Sequence, residues 1–269
     1  MAATSSIIPL ILFLVITIVY STLQYKTKGK YDLPLFAAYI FAILGSQLSI
    51  NMMITSQLCG STQSRTAFVV TVFPWLIIFG ILNIMLALFP GWLIPFSNTF
   101  GYFAAKMAGL KKLLIDKILV KESEKAPNAM FSKTLGEIYD DPSLLINRIP
   151  NADEGFDTFW EKMTKNNEIL PNAANPIKAK MVDGKQQEKQ LSPKEQLRNL
   201  IRLKQIVAKF IWFVLTGMLT ASTSYTYLLR AGCSNSVKQM EERHEEYERI
   251  VAKEEEEKQE PRVYVDHGH

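Results

Sequence analysis

Four apolar runs set the pattern of this chain: positions 7–23, 33–54, 67–89 and 206–229 carry a single charge between them, Lys209. A helix rises about 1.5 Å per residue, so crossing about 30 Å of hydrocarbon takes roughly 17–25 residues. A soluble helix keeps one polar face, and these runs are apolar all round. They predict four transmembrane helices. Lys209 lies one turn inside the fourth run, where its long stem lets the ammonium snorkel to the headgroups. The spans otherwise lack charged side chains and His, and Gln47, Asn51 and Asn83 stand out as their polar residues. Gly217, Ala221 and Ser224 are small residues of the kind that let helices approach closely.

After the third run the pattern changes. Pro90, Gly91, Pro95 and Gly101 are expected to break the helix. Trp92, Phe96, Phe100 and Tyr102 supply rings, and Trp and Tyr favour membrane interfaces. From 103 to 120, Phe103, Met107, Leu110, Leu114 and Ile118 recur at helical spacing, with Lys106, Lys111, Lys112 and Lys117 on the polar side. The expectation is a surface-lying amphipathic helix whose bases meet anionic headgroups. The alternative is a re-entrant hairpin at 90–103, which needs protein around its free backbone groups.

The stretch 121–192 is hydrophilic and long enough for a small helical domain. Within it Phe156, Phe159, Trp160 and Met163 share one helical face, preceded by Asp153, Glu154 and Asp157. That face is either a packed core or a partner-docking surface. A loop with Pro171 and Pro176 and a polar stretch at 184–190 follow. Ser192, Pro193 and Glu195 then match a capping box with proline at the first helical position. Leu197, Leu200, Ile201 and Leu203 lead on without a breaker, so one helix is expected from 193 to about 229, its first part outside the membrane.

In the tail, 231–269, Val237, Met240, His244, Tyr247 and Val251 alternate three and four apart, as a coiled-coil seam does. Glu245 with Arg249 and Glu254 with Lys258 are favourable pairs four apart. So short a seam needs a partner, and without one the tail is a solvated charged helix. His267 and His269 near the end are too few to define a metal site. The resulting division is a three-span region (1–90), an interfacial segment (91–120), a soluble helical loop domain (121–192), a long helix with the fourth span (193–230) and the acidic tail.

Charge orients this arrangement. The net charge of +4 divides into 18 Lys or Arg against 14 Asp or Glu over 91–205, and 6 against 11 after Arg230. Lys26, Lys28 and Lys30 fill the first loop, Arg65 stands alone in the second, and the third is flanked by Lys106, Lys111, Lys112, Arg198, Arg202 and Lys204. The side with the bases is expected to be cytoplasmic. The first run is expected to stay as an uncleaved anchor, since no base precedes it and no small-residue cleavage pattern follows. Neither a myristoylation glycine nor a prenylation motif is present. Cys59 and Cys233 fall together on the non-cytoplasmic side, where disulfides form. A bridge between them and a pair of free thiols both remain open, because geometry must allow the bond.

Catalytic signatures are missing: no Gly-rich phosphate loop, Cys-x-x-Cys, His-Glu-x-x-His or Gly-x-Ser-x-Gly occurs. No catalysis, cofactor, metal or nucleic acid is expected. Cys59-Gly60-Ser61, the run Phe73-Pro74-Trp75 to Gly80, and the run Phe89-Pro90-Gly91-Trp92 to Tyr102 resemble multi-span membrane proteins of large nucleocytoplasmic DNA viruses, over about residues 55–103. That resemblance implies a protein of the virion inner membrane that links it to the capsid, with the loop 121–204 as the capsid contact. The sequence thus leads to an all-α polytopic membrane protein with a structural role. Its expected partners are the bilayer, capsid or other virion proteins, and a second copy through the fourth span or tail. A channel or transporter subunit lined by Gln47, Asn51 and Asn83 is the alternative.

Overall fold

In the computed structural model the described residues are 2–119, 129–149, 151–153, 155–164, 191–233 and 237–259, and no strand occurs among them. Glu154, the linker 165–190 with Pro171 and Pro176, the terminal His267 and His269, and the side chain of Met163 lie outside this description. The elements are α1 (Ala2–Thr27), α2 (Asp32–Cys59), α3 (Ser64–Leu88), α4 (94–107), α5 (110–118), α6 (Ala129–Asp140), α7 (Ser143–Ile146), α8 (Phe156–Thr164), α9 (Pro193–Arg230) and α10 (Val237–Gln259). Helices α1, α2, α3 and α9 are long and apolar enough to cross a membrane. The chain is an all-α polytopic fold.

The distribution of polarity across these helices is inverted relative to a water-soluble bundle. Ile11, Val15, Phe41, Phe68, Phe73, Ile84 and Leu219 are exposed on the outside. Gln47, Asn51, Thr17, Thr71, Thr220 and Ser224 are buried inside. Apolar surface of this extent is not left to water. In lipid it is neutral, and helices then associate through close packing and hydrogen bonds rather than through the hydrophobic effect.

Both contributions are visible. Tyr20, Tyr39, Phe79 and Phe213 stack into an aromatic centre, with the Tyr39 and Phe213 rings 5.6 Å apart. Gly217 admits the Phe13 ring so closely that a Cβ there would overlap it. Thr17 Oγ1 and Tyr39 Oη are 3.1 Å apart, and Gln47 Nε2 donates to the Pro9 carbonyl at 2.9 Å. Lys209 is partly buried beside two of these rings. Its Nζ lies 5.6 Å from the Phe213 ring centre and 6.0 Å from that of Tyr20, within cation–π range.

Proline explains a further contact. Pro74 sits inside α3 and has no N–H, so the Val70 carbonyl loses its helical donor. Ser224 Oγ of α9 donates to that carbonyl at 2.6 Å. The same Oγ accepts from Asn51 Nδ2 of α2 at 3.1 Å, and Asn51 also donates to Thr71 Oγ1 at 2.7 Å. Three helices are thereby joined at a carbonyl that lipid could not have satisfied. A π-helical turn, Trp75–Phe79, follows the proline. Beyond these contacts, Cys59 and Cys233 are disulfide-bonded, with Cα atoms 5.5 Å apart across 174 positions. The bond holds the ends of α2 and α9 together.

A second core lies beyond the spans. Leu114, Ile118, Ile146, Phe156, Trp160, Leu197 and Ile201 are buried in one cluster that joins α4–α9. The Phe156/Trp160 face is therefore filled by the chain itself, which corrects the docking alternative: Phe156 is 0% and Trp160 5% exposed, and Phe159 packs partly against the same cluster. The expected single helix 103–120 is also revised. Gly109 adopts φ 95°, a conformation unfavourable to other residues, and the helix ends there and restarts. Phe103 and Met107 consequently stay exposed, whereas Leu110, Leu114 and Ile118 turn into the core.

Ser224→Ala is expected to lower stability by about 1–2 kcal/mol, since it strands the Val70 carbonyl and removes one of the two bonds that Asn51 Nδ2 donates. In Pro74→Ala the new N–H supplies Val70, and the penalty of Ser224→Ala should shrink. A double-mutant cycle on unfolding in detergent measures this coupling.

Candidate functional site

The junction where α9 leaves the apolar layer concentrates the unusual chemistry. Helix α9 runs for 38 residues, about 57 Å at 1.5 Å per residue, which is nearly twice the hydrocarbon thickness. Its start is set by Ser192, whose Oγ accepts from the Glu195 N–H at 3.3 Å, and by Pro193. No proline or cap interrupts it before Arg230, so the half outside the apolar layer is a rigid continuation of the span.

The segment after α3 is laid against this half. The Trp92 ring lies 5.9 Å and the Phe96 ring 6.1 Å from that of Trp212. Further on, Lys204 Nζ donates to Asn98 Oδ1 at 3.0 Å, and Lys117 Nζ donates to Gln196 Oε1 at 3.3 Å. The contacts thus progress from Trp212 toward the start of α9 as the segment advances. Gly101 makes this approach possible, because a Cβ would collide with the Lys204 carbonyl oxygen. Lys204 itself is 2% exposed. In the sequence it counted only as one base among those flanking the fourth run; its burial follows from Gly101, which no local pattern announces.

The interface residues expected from sequence take different places here. Trp92, Phe100, Lys106, Lys111 and Lys112 are exposed, and Phe96 and Tyr102 are partly buried against neighbouring helices. Phe103 and Met107 add to the outward apolar set, at 63% and 75% exposure. The chain between Leu88 and Gly109 therefore carries rings and Lys106 on its free surface while its other side is fixed to α9.

Ion pairs hold α8 and the residues just before it to the same helix. Arg202 contacts Asp153 at 2.6 Å, Lys194 contacts Asp157 at 2.6 Å, and Arg198 reaches Asp157 while its guanidinium lies 4.9 Å from the Phe156 ring centre. Bonding from Lys194, with Arg198 beside it, holds the Asp157 carboxyl below its ordinary value.

Gln47 and Asn51 are buried and each bonds a neighbouring helix, while Asn83 Nδ2 donates to Phe79 O of its own helix at 2.7 Å. Among the described residues no three His, Cys, Asp or Glu side chains come together as a metal would require. In α10, Met240, Tyr247 and Ile250 are exposed, and His244 Nε2 lies 3.2 Å from Glu248.

Two outcomes follow from this junction. Gly101→Ala should destabilise the protein by about 1–3 kcal/mol, because a backbone oxygen has nowhere to move, whereas Gly45→Ala, with open space around it, should be neutral or stabilising; thermal unfolding of the purified variants compares them. The Asp157 pKa is depressed in the folded state, so its contribution is present above the ordinary carboxylate range and lost as pH falls through the folded value. Hydrogen exchange in α8 should accordingly rise below about pH 4, and Asp157→Asn should abolish that dependence. No protein-family model, curated protein or solved structure matches the chain.

Proposed function

We propose that the protein is a non-catalytic membrane anchor that presents a folded helical domain at the bilayer surface to coat proteins. The observation that carries this reading is the rigid connection: one uninterrupted helix crosses the apolar layer and then forms part of the domain's own core through Leu197 and Ile201. A load applied to the domain passes directly into the span, with no hinge between them. The bases of the first and third loops assign the domain to the cytoplasmic side. The Cys59–Cys233 bridge then lies at the opposite, oxidising side.

The resemblance over residues 55–103 suggests the setting: the inner membrane of a large DNA virus, with the domain and linker turned toward the capsid. Since Phe156 and Trp160 are occupied, the partner contact falls on the polar surface of the domain and on the linker. Exposed Lys133 and Lys162 report on the former, and Lys178 on the latter.

Lysine-reactive crosslinking of purified particles or native membranes, read by mass spectrometry, tests this. Links from Lys133, Lys162 and Lys178 to a coat protein are expected. Links confined to this chain and its copies would overturn the anchoring role, and conductance of the reconstituted protein would then be the next measurement.

A further inference from the structure

A groove of about 390 Å³ opens between α5 and the part of α9 outside the apolar layer. Lys112 and Lys117 stand on one wall and Gln196 and Asn199 on the other, with Lys117 Nζ donating to Gln196 Oε1 at 3.3 Å between them, and Leu113 and Leu200 contribute apolar surface. Among the described residues no carboxylate lines it. Both lysines are exposed, so their charges are accessible from outside. Two cations, one of them bonded to the Gln196 amide oxygen, together with the Asn199 amide and an apolar patch form a complementary set for an anion that also carries hydroxyl groups and a ring face.

Position narrows the class. Leu200 precedes the apolar run at Ile206 by six residues, a rise of about 9 Å. The headgroup layer is about 5–8 Å thick on each side of the hydrocarbon. A compact phosphodiester headgroup stops short of the groove, whereas a polyol ring bearing phosphomonoesters projects to it. Each phosphomonoester brings a charge of about −1.5 to −2, which the two lysines meet. The exposed Phe103 and Met107 lie within two turns of the groove and give this edge an apolar contact with the bilayer.

We propose that the groove between Lys112/Lys117 and Gln196/Asn199 binds the phosphorylated polyol headgroup of a membrane lipid, of the phosphoinositide type. This binding is distinct from the protein contact of the anchoring role, and either can hold without the other. It would direct the anchor to a membrane of particular lipid identity, where general attraction to negative lipid would not discriminate.

The test uses the full chain in phosphatidylcholine nanodiscs doped with phosphatidylinositol bisphosphate or, at matched total charge, with phosphatidylserine. Native mass spectrometry reads the lipid retained on the protein. The phosphoinositide should be retained about tenfold or more over phosphatidylserine. K112Q/K117Q should lose that preference, while K26Q/K28Q/K30Q, with a larger charge change in another loop, should keep it. Circular dichroism and the melting temperature confirm that both variants are folded. Equal retention of the two lipids, or a K112Q/K117Q variant that still prefers the phosphoinositide, overturns the proposal. Free inositol phosphate bound as tightly as the membrane-borne lipid overturns the lipid as its source.

Discussion

Helix α9 has to satisfy two solvents at once. Over its second half the surroundings are apolar, so its outward residues are Leu215, Met218 and Leu219 and its inward ones include Thr216, Thr220 and Ser224. Over its first half the surroundings are aqueous and the pattern reverses, with Leu197 and Ile201 buried and Lys194, Glu195 and Arg198 around them. Each of the two cores is completed by one half of this helix, and their relative placement rests on its continuity.

The two cores are held by different physics. In the outer one, burial removes apolar surface from water, and a fully buried Leu, Ile or Phe contributes about 1.5–3 kcal/mol. Among the spans that gain is absent, since lipid is as apolar as the side chains. What distinguishes the packed arrangement there is satisfaction of backbone and amide groups and the close approach permitted at Gly217. The Asn51–Ser224–Val70 contact shows the logic: Pro74 leaves one carbonyl without a partner, and a hydroxyl from another span supplies it. The disulfide adds a covalent closure at one end. A loop of this size is worth up to ~5 kcal/mol in the chain-entropy treatment, and less here, because a bilayer already confines the spans in the unfolded state.

The junction reconciles these regimes over a short distance. Buried Lys204 is tolerated because Asn98 accepts from it, and Arg202 is held by Asp153. Trp92, Phe96 and Trp212 fill the space at the edge of the apolar layer with rings that accept both surroundings. The segment 90–107 is therefore neither a free surface helix nor a hairpin buried among spans. One side is fixed to α9, and the other keeps Phe100, Phe103 and Met107 exposed.

The amino-acid pattern alone determined the helical class, the four runs suited to a bilayer, the capped start of α9 and the break after Phe89, because these depend on hydropathy and local backbone preference over contiguous residues. It determined that Cys59 and Cys233 share a side, since alternation of spans requires it. Their bond was decided by tertiary structure, which alone sets a 5.5 Å Cα separation. The occupant of the Phe156/Trp160 face was decided there too, as an amphipathic helix records that it has an apolar side and not what covers it. Gly109 looked like one more position in a helical repeat, yet its left-handed backbone splits that repeat and sends its two halves in different directions. Gly101, Lys204 and Ser224 became meaningful only through neighbours far away in the chain. A close approach or a shared proton donor is a relation between two helices, and neither helix carries it by itself.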